Sequence, residues 1–313
     1  MVPVCAMGIF HSRNALHDGD FFRFRIFLNQ VDRKSTRLNS SHRRPVSRLT
    51  GSEWADAKRF ISLGTTAEPG PWRTYRTPYL QEPMDAATDK QTEKIVLMFA
   101  SQVGKSELLL NVLGYYADQE PSPQLMLQPT VEMAQAFSKE RIAPMFRDSP
   151  GLAGKLIEGK EGRGTEKKSS TTILMKHYPG GFLALVGANS PAGLASRPIR
   201  ILLADEVDRY PESAGKEGDP LKLAVQRTQN FGNRKLLMVS TPTVVGYSKI
   251  HNEFLAGDQR EFVVQCPECK AYNELKWENV HWESDDKGNV IESSVGLFCP
   301  NCGAKIRGPR KIN

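Results

Sequence analysis

Apolar residues occur along this chain in short continuous runs, each closed by a turn of polar or small residues. Runs of about five apolar residues are typical of strands that are buried on both faces of a parallel sheet. Segments with helical periodicity lie between most of these runs, and this alternation predicts an α/β fold with helices flanking a mainly parallel sheet. The predicted strands are residues 95–99, 124–129, 171–176, 182–186, 199–204 and 235–239.

Residue types that favour helix starts indicate where helices begin between the predicted strands. Ser52, Thr130 and Asp219 are residue types that cap helix N-termini, and Pro220 stands at the first helical position, where proline is favoured. Residues 151–170 are rich in Gly, Lys and Glu and predict a surface loop. The predicted helices are residues 52–60, 82–87, 105–113, 130–141, 219–228 and 247–256.

Residues 94–107 have the order strand, tight turn, helix start. This order holds a polyphosphate, because the turn N–H groups and the helix dipole both point at the anion. Lys105 would reach the β- and γ-phosphates, and the Ser106 hydroxyl would bind Mg²⁺. The first glycine of the usual motif is replaced by Phe99, so an ordinary strand-to-helix turn remains an alternative. The residues expected to contact the nucleotide are Ser101, Gln102, Val103, Gly104, Lys105, Ser106 and Glu107.

Two adjacent carboxylates, Asp205 and Glu206, follow the apolar run at 199–204. We expect Asp205 to hold Mg²⁺ through water and Glu206 to polarise the water that attacks the γ-phosphate. An acidic turn that caps the next element is the alternative interpretation. Because the pair follows the Gly-Lys-Ser turn within one α/β pattern, a nucleotide site is favoured.

Two further stretches could complete such a site. Ser240 to Thr243 follow the strand at 235–239, where ligands bind in a parallel sheet, so Ser240, Thr241 and Thr243 could sense the γ-phosphate and report it to the next helix. A capping turn is the alternative. Tyr79 and Gln81 precede the first strand and could form an adenine-binding wall, with plain surface packing as an equal alternative.

Four of the five cysteines form two C-x-x-C pairs near the end of the sequence, Cys266 with Cys269 and Cys299 with Cys302. Four thiolates suit tetrahedral Zn²⁺, and a closed Cys₄ site leaves no position for water, so the metal would be structural. A redox dithiol and disulfides are the alternatives. Trp277, Val280 and Trp282 alternate with polar residues and predict strands between the pairs. The unit would be a zinc ribbon that needs its metal to fold.

The protein has a net charge of +7 and a pI of about 9.1, and most of the excess positive charge lies at the start of the sequence. Residues 1–50 carry nine Lys/Arg and three Asp/Glu, which leaves 33 basic and 32 acidic residues in 51–313. The nearly neutral remainder makes bulk charge poor evidence for DNA binding. No stretch is apolar enough to cross a bilayer, and we expect a cytoplasmic protein, here in the cytoplasm of a host cell.

Residues 32–42 match the conceptual translation of a widely used sequencing adapter. We therefore interpret residues 1–50 as an artefactual segment that adds nothing to stability, with a disordered basic arm as the alternative. The remaining sequence divides into a predicted ATPase domain at 51–258 and the zinc ribbon at 259–308.

Residues from about 52 to 308 resemble the large terminase subunit of tailed bacteriophages, in the branch typified by phage lambda. The resemblance is carried by the motifs at 101–106, 195–200, 203–211 and 240–243. The family has a phosphate loop that lacks the first glycine, as here at Phe99. The resemblance implies a P-loop NTPase fold of the RecA/ASCE-like class and an ATPase that packages double-stranded viral DNA into a procapsid.

The family resemblance has further implications. ATP and Mg²⁺ would be the ligands, and the partners would be DNA, the small terminase subunit, the portal and further copies of the chain. Many terminases have an arginine in the phosphate loop, so here Arg197 or Arg209 would supply that charge, in the same subunit or in a neighbour's site. The family's nuclease domain does not fit after Cys302, so this chain should not cut DNA by itself. A helicase-like translocase, or a zinc-ribbon nucleic-acid-binding module with an inactive nucleotide site, remains an alternative.

Overall fold

The structure is a computed structural model that describes residues 48–64, 68–157, 171–190, 193, 197–274 and 276–306, together with the backbone of Phe22–Leu28. The adapter-like residues 32–42, Cys5 and the greater part of the predicted loop at 151–170 lie outside the described residues. So do residues 195 and 196 of one motif that carries the family resemblance.

An eight-stranded mixed sheet forms the centre of the fold, in the spatial order β10-β1-β4-β9-β8-β5-β7-β6. Five neighbouring strands, β4 to β7 in this order, are parallel, whereas β1, β6 and β10 are placed by antiparallel pairs. This arrangement confirms the predicted α/β class. The strands are β1 (Phe22–Leu28), β4 (Thr92–Phe99), β5 (Pro123–Gln128), β6 (Met175–Tyr178), β7 (Gly181–Gly187), β8 (Ile201–Asp205), β9 (Lys235–Ser240) and β10 (Arg260–Glu261), and a separate pair joins β2 (Phe60–Ile61) to β3 (Gly70–Pro71).

Side chains of the parallel strands are buried on both faces of the sheet. In β4, Ile95, Leu97 and Phe99 belong to one apolar cluster, and Val96 and Met98 belong to the other. Burial on both sides explains why the strand reads as one continuous apolar run rather than an alternating one. In the described part of the chain, seven helices and several single turns cover the two faces. The helices are α1 (Gly51–Lys58), α2 (Gln81–Thr88), α3 (Lys105–Asp118), α4 (Val131–Phe137), α5 (Ala143–Asp148), α6 (Pro220–Gln226) and α7 (Lys249–Leu255).

Side-chain caps set most helix starts. Thr130 and Asp219 cap α4 and α6 as predicted, and Ser248 caps α7. The predicted cap at Ser52 is wrong, because Thr50 accepts the Glu53 amide in a capping box and α1 therefore begins at Gly51. The predicted helix at 130–141 passes into a π-helical segment, Ser138–Ile142, before α5.

Other element boundaries differ from the predictions. The hairpin forms around Gly180 as predicted, but its first strand is Met175–Tyr178 rather than 171–176. Trp277 lies in a 3₁₀ turn, Trp277–Asn279, and not in a strand. Strand-like alternation of large apolar residues cannot distinguish such a turn from a short strand.

The four cysteines lie in a small unit of short antiparallel strands that follows α7. The main sheet reaches Glu261, a few residues past the domain boundary predicted at 258, because β10 pairs with β1. The unit's strands form two separate sheets, β11 with β12 and β13-β14-β15. They are β11 (Val263–Gln265), β12 (Tyr272–Glu274), β13 (Val280–His281), β14 (Gly296–Phe298) and β15 (Lys305–Ile306).

Removal of residues 1–47 tests the interpretation of the first segment. Since 32–42 match an adapter, we expect the melting temperature to stay within about 1 °C, which for a protein of this size is well under 1 kcal/mol. Strand β1 makes the test sharp, because the structure pairs it with β4 along its whole length, so its removal would uncover the edge of β4 and lower the melting temperature unless the adapter interpretation is right. A fall of several degrees in calorimetry would show that the segment is part of the protein.

Candidate functional site

The predicted nucleotide residues converge at the edge of the sheet where the parallel strands end. Strand β9 lies between β4 and β8, so the turns after these three strands are neighbours in space. In the strand register, Met98 is opposite Ser240, and Asp205 is opposite Val239. Three turns that are far apart in sequence are thereby brought to one place, as the order of the motifs predicts.

Lys105 is buried at the start of α3 and points back across the turn after β4. Its Nζ donates hydrogen bonds to the Ala100 carbonyl oxygen at 2.8 Å and to Thr241 Oγ1 at 2.7 Å. Burial lowers the pKa of the Lys105 ammonium, while Glu206 and Asp205 oppose that shift. The lysine is therefore fixed between the turn after β4 and the turn after β9 rather than exposed to solvent.

The N-terminus of α3 has no side-chain cap. Helices α1, α4, α6 and α7 each begin with a side chain that accepts one of their first N–H groups, and α2 and α5 continue from preceding helical turns. Gly104, with φ +86°, and Gln102, with φ +60°, bend the turn through left-handed conformations. The first amides of α3 are thus left for an anion, which is what a helix N-terminus binds.

Asp205 ends β8 in a nearly water-free position. Its Oδ2 accepts hydrogen bonds from Gln128 Nε2 at 3.1 Å and from Ser106 Oγ at 3.3 Å. Its Oδ1 is buried and has no hydrogen-bond partner among the described residues. Burial raises the pKa of the carboxyl, and the nearby Glu206 adds to the shift. One oxygen of a buried carboxylate is therefore left for a ligand.

Glu206 lies between two cations and has a left-handed backbone, with φ +53°. Its Oε1 is 3.8 Å from Lys105 Nζ, and its Oε2 is 3.7 Å from Arg209 Nε. A non-glycine residue in this region costs of order 1 kcal/mol and is found at functional sites. The conformation turns the chain away from the sheet directly after Asp205.

The Ser240–Thr243 turn contacts the predicted Lys105 and a further acidic residue, Asp208. Ser240 is fully buried and its Oγ accepts the Asp208 amide at 3.2 Å. Thr241 holds Lys105. Thr243 donates both its amide and its hydroxyl to Asp208 Oδ2, each at 2.9 Å. The turn is therefore joined to two other motifs of the site.

Tyr79 and Leu80 lie near the ends of the turn after β4. The Tyr79 ring meets Phe99 edge-on with 6.1 Å between ring centroids, and Leu80 Cδ1 would lie 3.1 Å from a Cβ placed on Gly104. Burial raises the pKa of Tyr79 to about 12. Tyr79 and Gln81 line one open cavity of about 960 Å³, whose lining includes Arg260 and Phe262 but none of residues 100–107.

The structure separates the two predicted arginines. Arg209 is exposed and lies next to Glu206. The Arg197 guanidinium lies 5.8 Å from the centre of the Phe182 ring and 3.3 Å from Met175 Sδ. Phe182 is opposite Pro123 at the start of β5, so Arg197 lies toward the end of the sheet opposite to Lys105 of the same chain.

Glu107 uses its side chain for structure. Its carboxylate pairs with Arg59 at 3.1 Å and with Arg141 at 2.5 Å, and both Glu107 and Arg59 are buried. This leaves only the Glu107 backbone for the predicted contact with nucleotide. The cluster fixes the first turn of α3 to the segments that carry the two arginines.

Sequence reasoning missed Gln128, which contacts the Asp205 carboxylate, and Asp208, which holds the Ser240–Thr243 turn beside the site. Gln128 is the last residue of β5 and donates to Asp205. Asp208 accepts from Thr243 and from the Ile250 amide at 2.8 Å. The position of Gln128 at a strand end was a usable signal, whereas Asp208 looked like one more acid in an acidic turn.

The four paired cysteines form a compact cluster in which all Sγ atoms lie within 4.8 Å of one another. Cys266 and Cys302, and likewise Cys269 and Cys299, have their Sγ atoms 3.7 Å apart. The two knuckles close alike, with Lys270 N donating to Cys266 O at 3.1 Å and Gly303 N to Cys299 O at 2.9 Å. The cluster could hold one metal ion.

None of the helices described is long and apolar enough to span a membrane.

The sequence profile of the phage terminase large subunit gpA ATPase domain matches residues 66–313. The chain therefore belongs to this family, which confirms the resemblance seen in its motifs. The activity of the domain that defines the family is ATP hydrolysis.

Two curated relatives are large terminase subunits, one from Enterobacteria phage P21 and one from Escherichia phage lambda. Identity is 26% over 268 residues for the first and 26% over 269 residues for the second, and each alignment covers 82% of this chain. The chain spans 40% of the length of each of these relatives.

Two solved structures are also similar in part. The large terminase ATPase domain of Thermus phage P74-26 has a TM-score of 0.40 at 17% identity, covering 62% of this chain and 76% of that one. The large terminase of bacteriophage HK97 has a TM-score of 0.47 at 14% identity, covering 66% of this chain and 41% of that one. Identity at this level carries no residue roles across.

We predict that Asp205→Asn raises the melting temperature of the nucleotide-free protein by a few degrees. The raised pKa of Asp205 means that the folded state resists ionisation, so stability is lost as pH rises from the usual carboxyl pKa through the native one. The asparagine side chain of the variant carries no charge, so the cost of burying a charge is removed. The gain should be largest where the native carboxyl is ionised and should shrink as pH falls toward about 4. Calorimetry across this range measures it, and a lower melting temperature at pH 7.5 would contradict it.

Proposed function

We propose that this chain is the ATP-hydrolysing motor domain of a phage terminase large subunit and drives double-stranded viral DNA into a procapsid. The observation that carries the proposal is the meeting of Lys105, Ser106, Asp205, Glu206 and Thr241 at one edge of the sheet. Phosphoryl transfer to water needs positioned cations, a metal-binding carboxylate and a group that orients the water. Family membership supports the same reaction.

The turn after β4 and the first amides of α3 would hold the phosphates, as a P-loop does. Ala100 and Thr241 use two of the three hydrogens of the Lys105 ammonium group, which leaves one for a phosphate oxygen. The adenine ring would lie against Tyr79, with Gln81 as a polar partner at the cavity's mouth. The proposal assigns this site to the RecA/ASCE-like class of P-loop NTPases.

Mg²⁺ would be held by Ser106 and Asp205. The donor set fits, because Mg²⁺ prefers oxygen ligands and Asp205 Oδ1 is buried without another partner in the described part of the chain. When bound, the ion would neutralise charge that develops on the phosphate oxygens. The hydrogen bond from Gln128 would orient the carboxylate toward the ion.

Glu206 would orient and activate the attacking water. It is partly exposed, with 22% of its side chain accessible, so water can reach its carboxylate. Its neighbours Lys105 and Arg209 hold the carboxylate in place. Arg209 could stabilise transition-state charge in its own subunit. Arg197 lies too far from this site for that role and would instead act in the site of a neighbouring copy of the chain.

The partners of the proposed motor are double-stranded viral DNA, the small terminase subunit, the portal of the procapsid and further copies of the chain. These assignments rest on the similarity to the P21 and lambda subunits. A helicase-like translocase would use the same edge of the sheet, but the family match does not favour it.

The cysteine unit would be a zinc ribbon. A tetrahedral ion with Zn–S bonds of about 2.3 Å needs sulfur atoms about 3.8 Å apart, and two pairs in the cluster are at 3.7 Å. Asn273 Nδ2 lies 3.6 Å from Cys299 Sγ and would orient that ligand. With few buried side chains of its own, the unit would depend on the ion for its fold.

Two substitutions separate binding from chemistry. We expect Lys105→Ala to abolish ATP turnover and weaken ATP binding, because the lysine contacts the phosphates in the ground state. Glu206→Gln should bind Mg-ATP normally and hydrolyse it about 100- to 10,000-fold more slowly. Rates should be measured with DNA at high protein concentration, beside a direct nucleotide-binding assay.

Exposed residues of the same types provide controls. Lys216→Ala and Glu212→Gln remove the same charges away from the site and should change neither binding nor rate. Turnover by Glu206→Gln at the wild-type rate would remove the assignment of the catalytic carboxylate. Absence of nucleotide binding by the wild type would remove the proposed site altogether.

Metal analysis tests the ribbon. Freshly purified, reduced protein should contain one Zn²⁺ per chain, and Cys299→Ser should lose it and unfold the ribbon while the ATPase domain stays folded. Cys5→Ser is the matched control and should keep the full zinc content. A wild-type protein without zinc would refute this part of the proposal.

A further inference from the structure

Asp208 joins three elements that sequence reasoning treated separately. It lies two residues after Glu206, and its carboxylate accepts three hydrogen bonds from other segments. Oδ2 accepts the amide and the hydroxyl of Thr243, each at 2.9 Å, and Oδ1 accepts the amide of Ile250 in the first turn of α7 at 2.8 Å. The Asp208 amide in turn donates to Ser240 at 3.2 Å.

These bonds fix the Ser240–Thr243 turn on one side, and Lys105 fixes it on the other. The turn therefore has two anchors: Thr241 on the lysine that would meet the phosphates, and Thr243 on Asp208. Lys105 would contact oxygens of both the β- and the γ-phosphate, but Ala100 and Thr241 leave only one of its three hydrogens unused, so the second phosphate oxygen would compete with Thr241 for the ammonium group. The Asp208 anchor has no such competitor, because a carboxylate accepts hydrogen bonds and repels phosphate.

Helix α7 is attached to the body of the sheet by other contacts as well. Glu253 forms an ion pair with Lys94 of β4, and Ile250 and Phe254 are fully buried in one of the apolar clusters. After α7 the chain passes through β10 into the cysteine unit. A shift of α7 would therefore reach the C-terminal part of the chain.

We propose that Asp208 is a positioning residue that makes the Ser240–Thr243 turn and helix α7 respond together to nucleotide at Lys105. The inference deepens the proposed function and rests on it. When the phosphates take the ammonium group from Thr241, the turn is held by Asp208 alone, and its displacement is passed through the same carboxylate to the α7 backbone. Asp208 thus connects the nucleotide site to α7, the helix that leads toward the cysteine unit.

Asp208→Asn tests this role with little change of shape. The amide keeps one oxygen acceptor but presents an N–H₂ group to one of the two sets of donors, so the turn and α7 are no longer held by one group. Nucleotide affinity should stay within about threefold, because Asp208 contacts neither Lys105 nor Asp205. The readout is hydrogen exchange of the α7 amides in the full chain, with and without Mg²⁺ and a non-hydrolysable ATP analogue.

In the wild type we expect the analogue to change α7 exchange by about fivefold or more, the equivalent of one hydrogen bond. In Asp208→Asn the analogue should bind and still change exchange in the first turn of α3, but its effect on α7 should disappear. Thr243→Val, which removes only the hydroxyl bond, should reduce the effect in part and covers the case in which the first variant folds poorly. The change in α7 exchange that the analogue causes is compared between variants. Absolute exchange rates are not compared, because simple fraying of α7 would alter them with or without nucleotide.

Asp85→Asn is the matched control. Asp85 is also half-buried and accepts an amide at the start of a helix, Ser52 N at 2.9 Å, but it lies away from the turn after β9. It should leave the α7 response unchanged. An undiminished α7 response in Asp208→Asn, or no response in the wild type despite bound analogue, would overturn the inference and leave the proposed function standing. Failure of the wild type to bind the analogue would remove both.

Discussion

Burial of the Asp205 carboxylate is the constraint on which the site depends. A charged group in a nearly dry position is costly unless it is paired, and here one oxygen is paired with Gln128 and Ser106 while the other has no partner in the described structure. The surrounding parallel strands supply the rigidity that keeps the group there. The same strands bring Lys105 and Thr241 beside it. The arrangement of the parallel strands therefore both buries the carboxylate and assembles the site.

The sequence was sufficient for the strands and for the chemistry at their ends. Strands buried on both faces leave an uninterrupted apolar run, and a polar residue directly after such a run is conspicuous, as at Asp205 and Ser240, whereas Lys105 follows its run after a turn of five residues. Helix starts were predictable where a cap and a proline coincide, as at Asp219. The cap of α1 was misplaced by two residues, at Ser52 instead of Thr50, because both are good cap residues; the capping box between Thr50 and Glu53 distinguishes them.

Contacts between segments were not predictable from the sequence. The position of β9 between β4 and β8 follows from pairing over more than a hundred residues, and no local signal encodes it. Asp208 owes its partners to that order, since Thr243 and Ile250 lie 35 and 42 residues further along. Arg197 was placed with the site on motif grounds, but the edge hairpin that holds it lies at the far side of the sheet.

The uncapped start of α3 has a consequence for how the protein survives in a cell. Amides without a cap, a carboxylate oxygen with no partner in the described structure and left-handed residues at Gln102 and Glu206 each carry a free-energy cost, and all of them lie at this site. Ligand that binds only the native state adds about 4 kcal/mol when present at about a thousand times its dissociation constant. Nucleotide supply would then govern not only how fast the domain works but how long each copy escapes proteolysis.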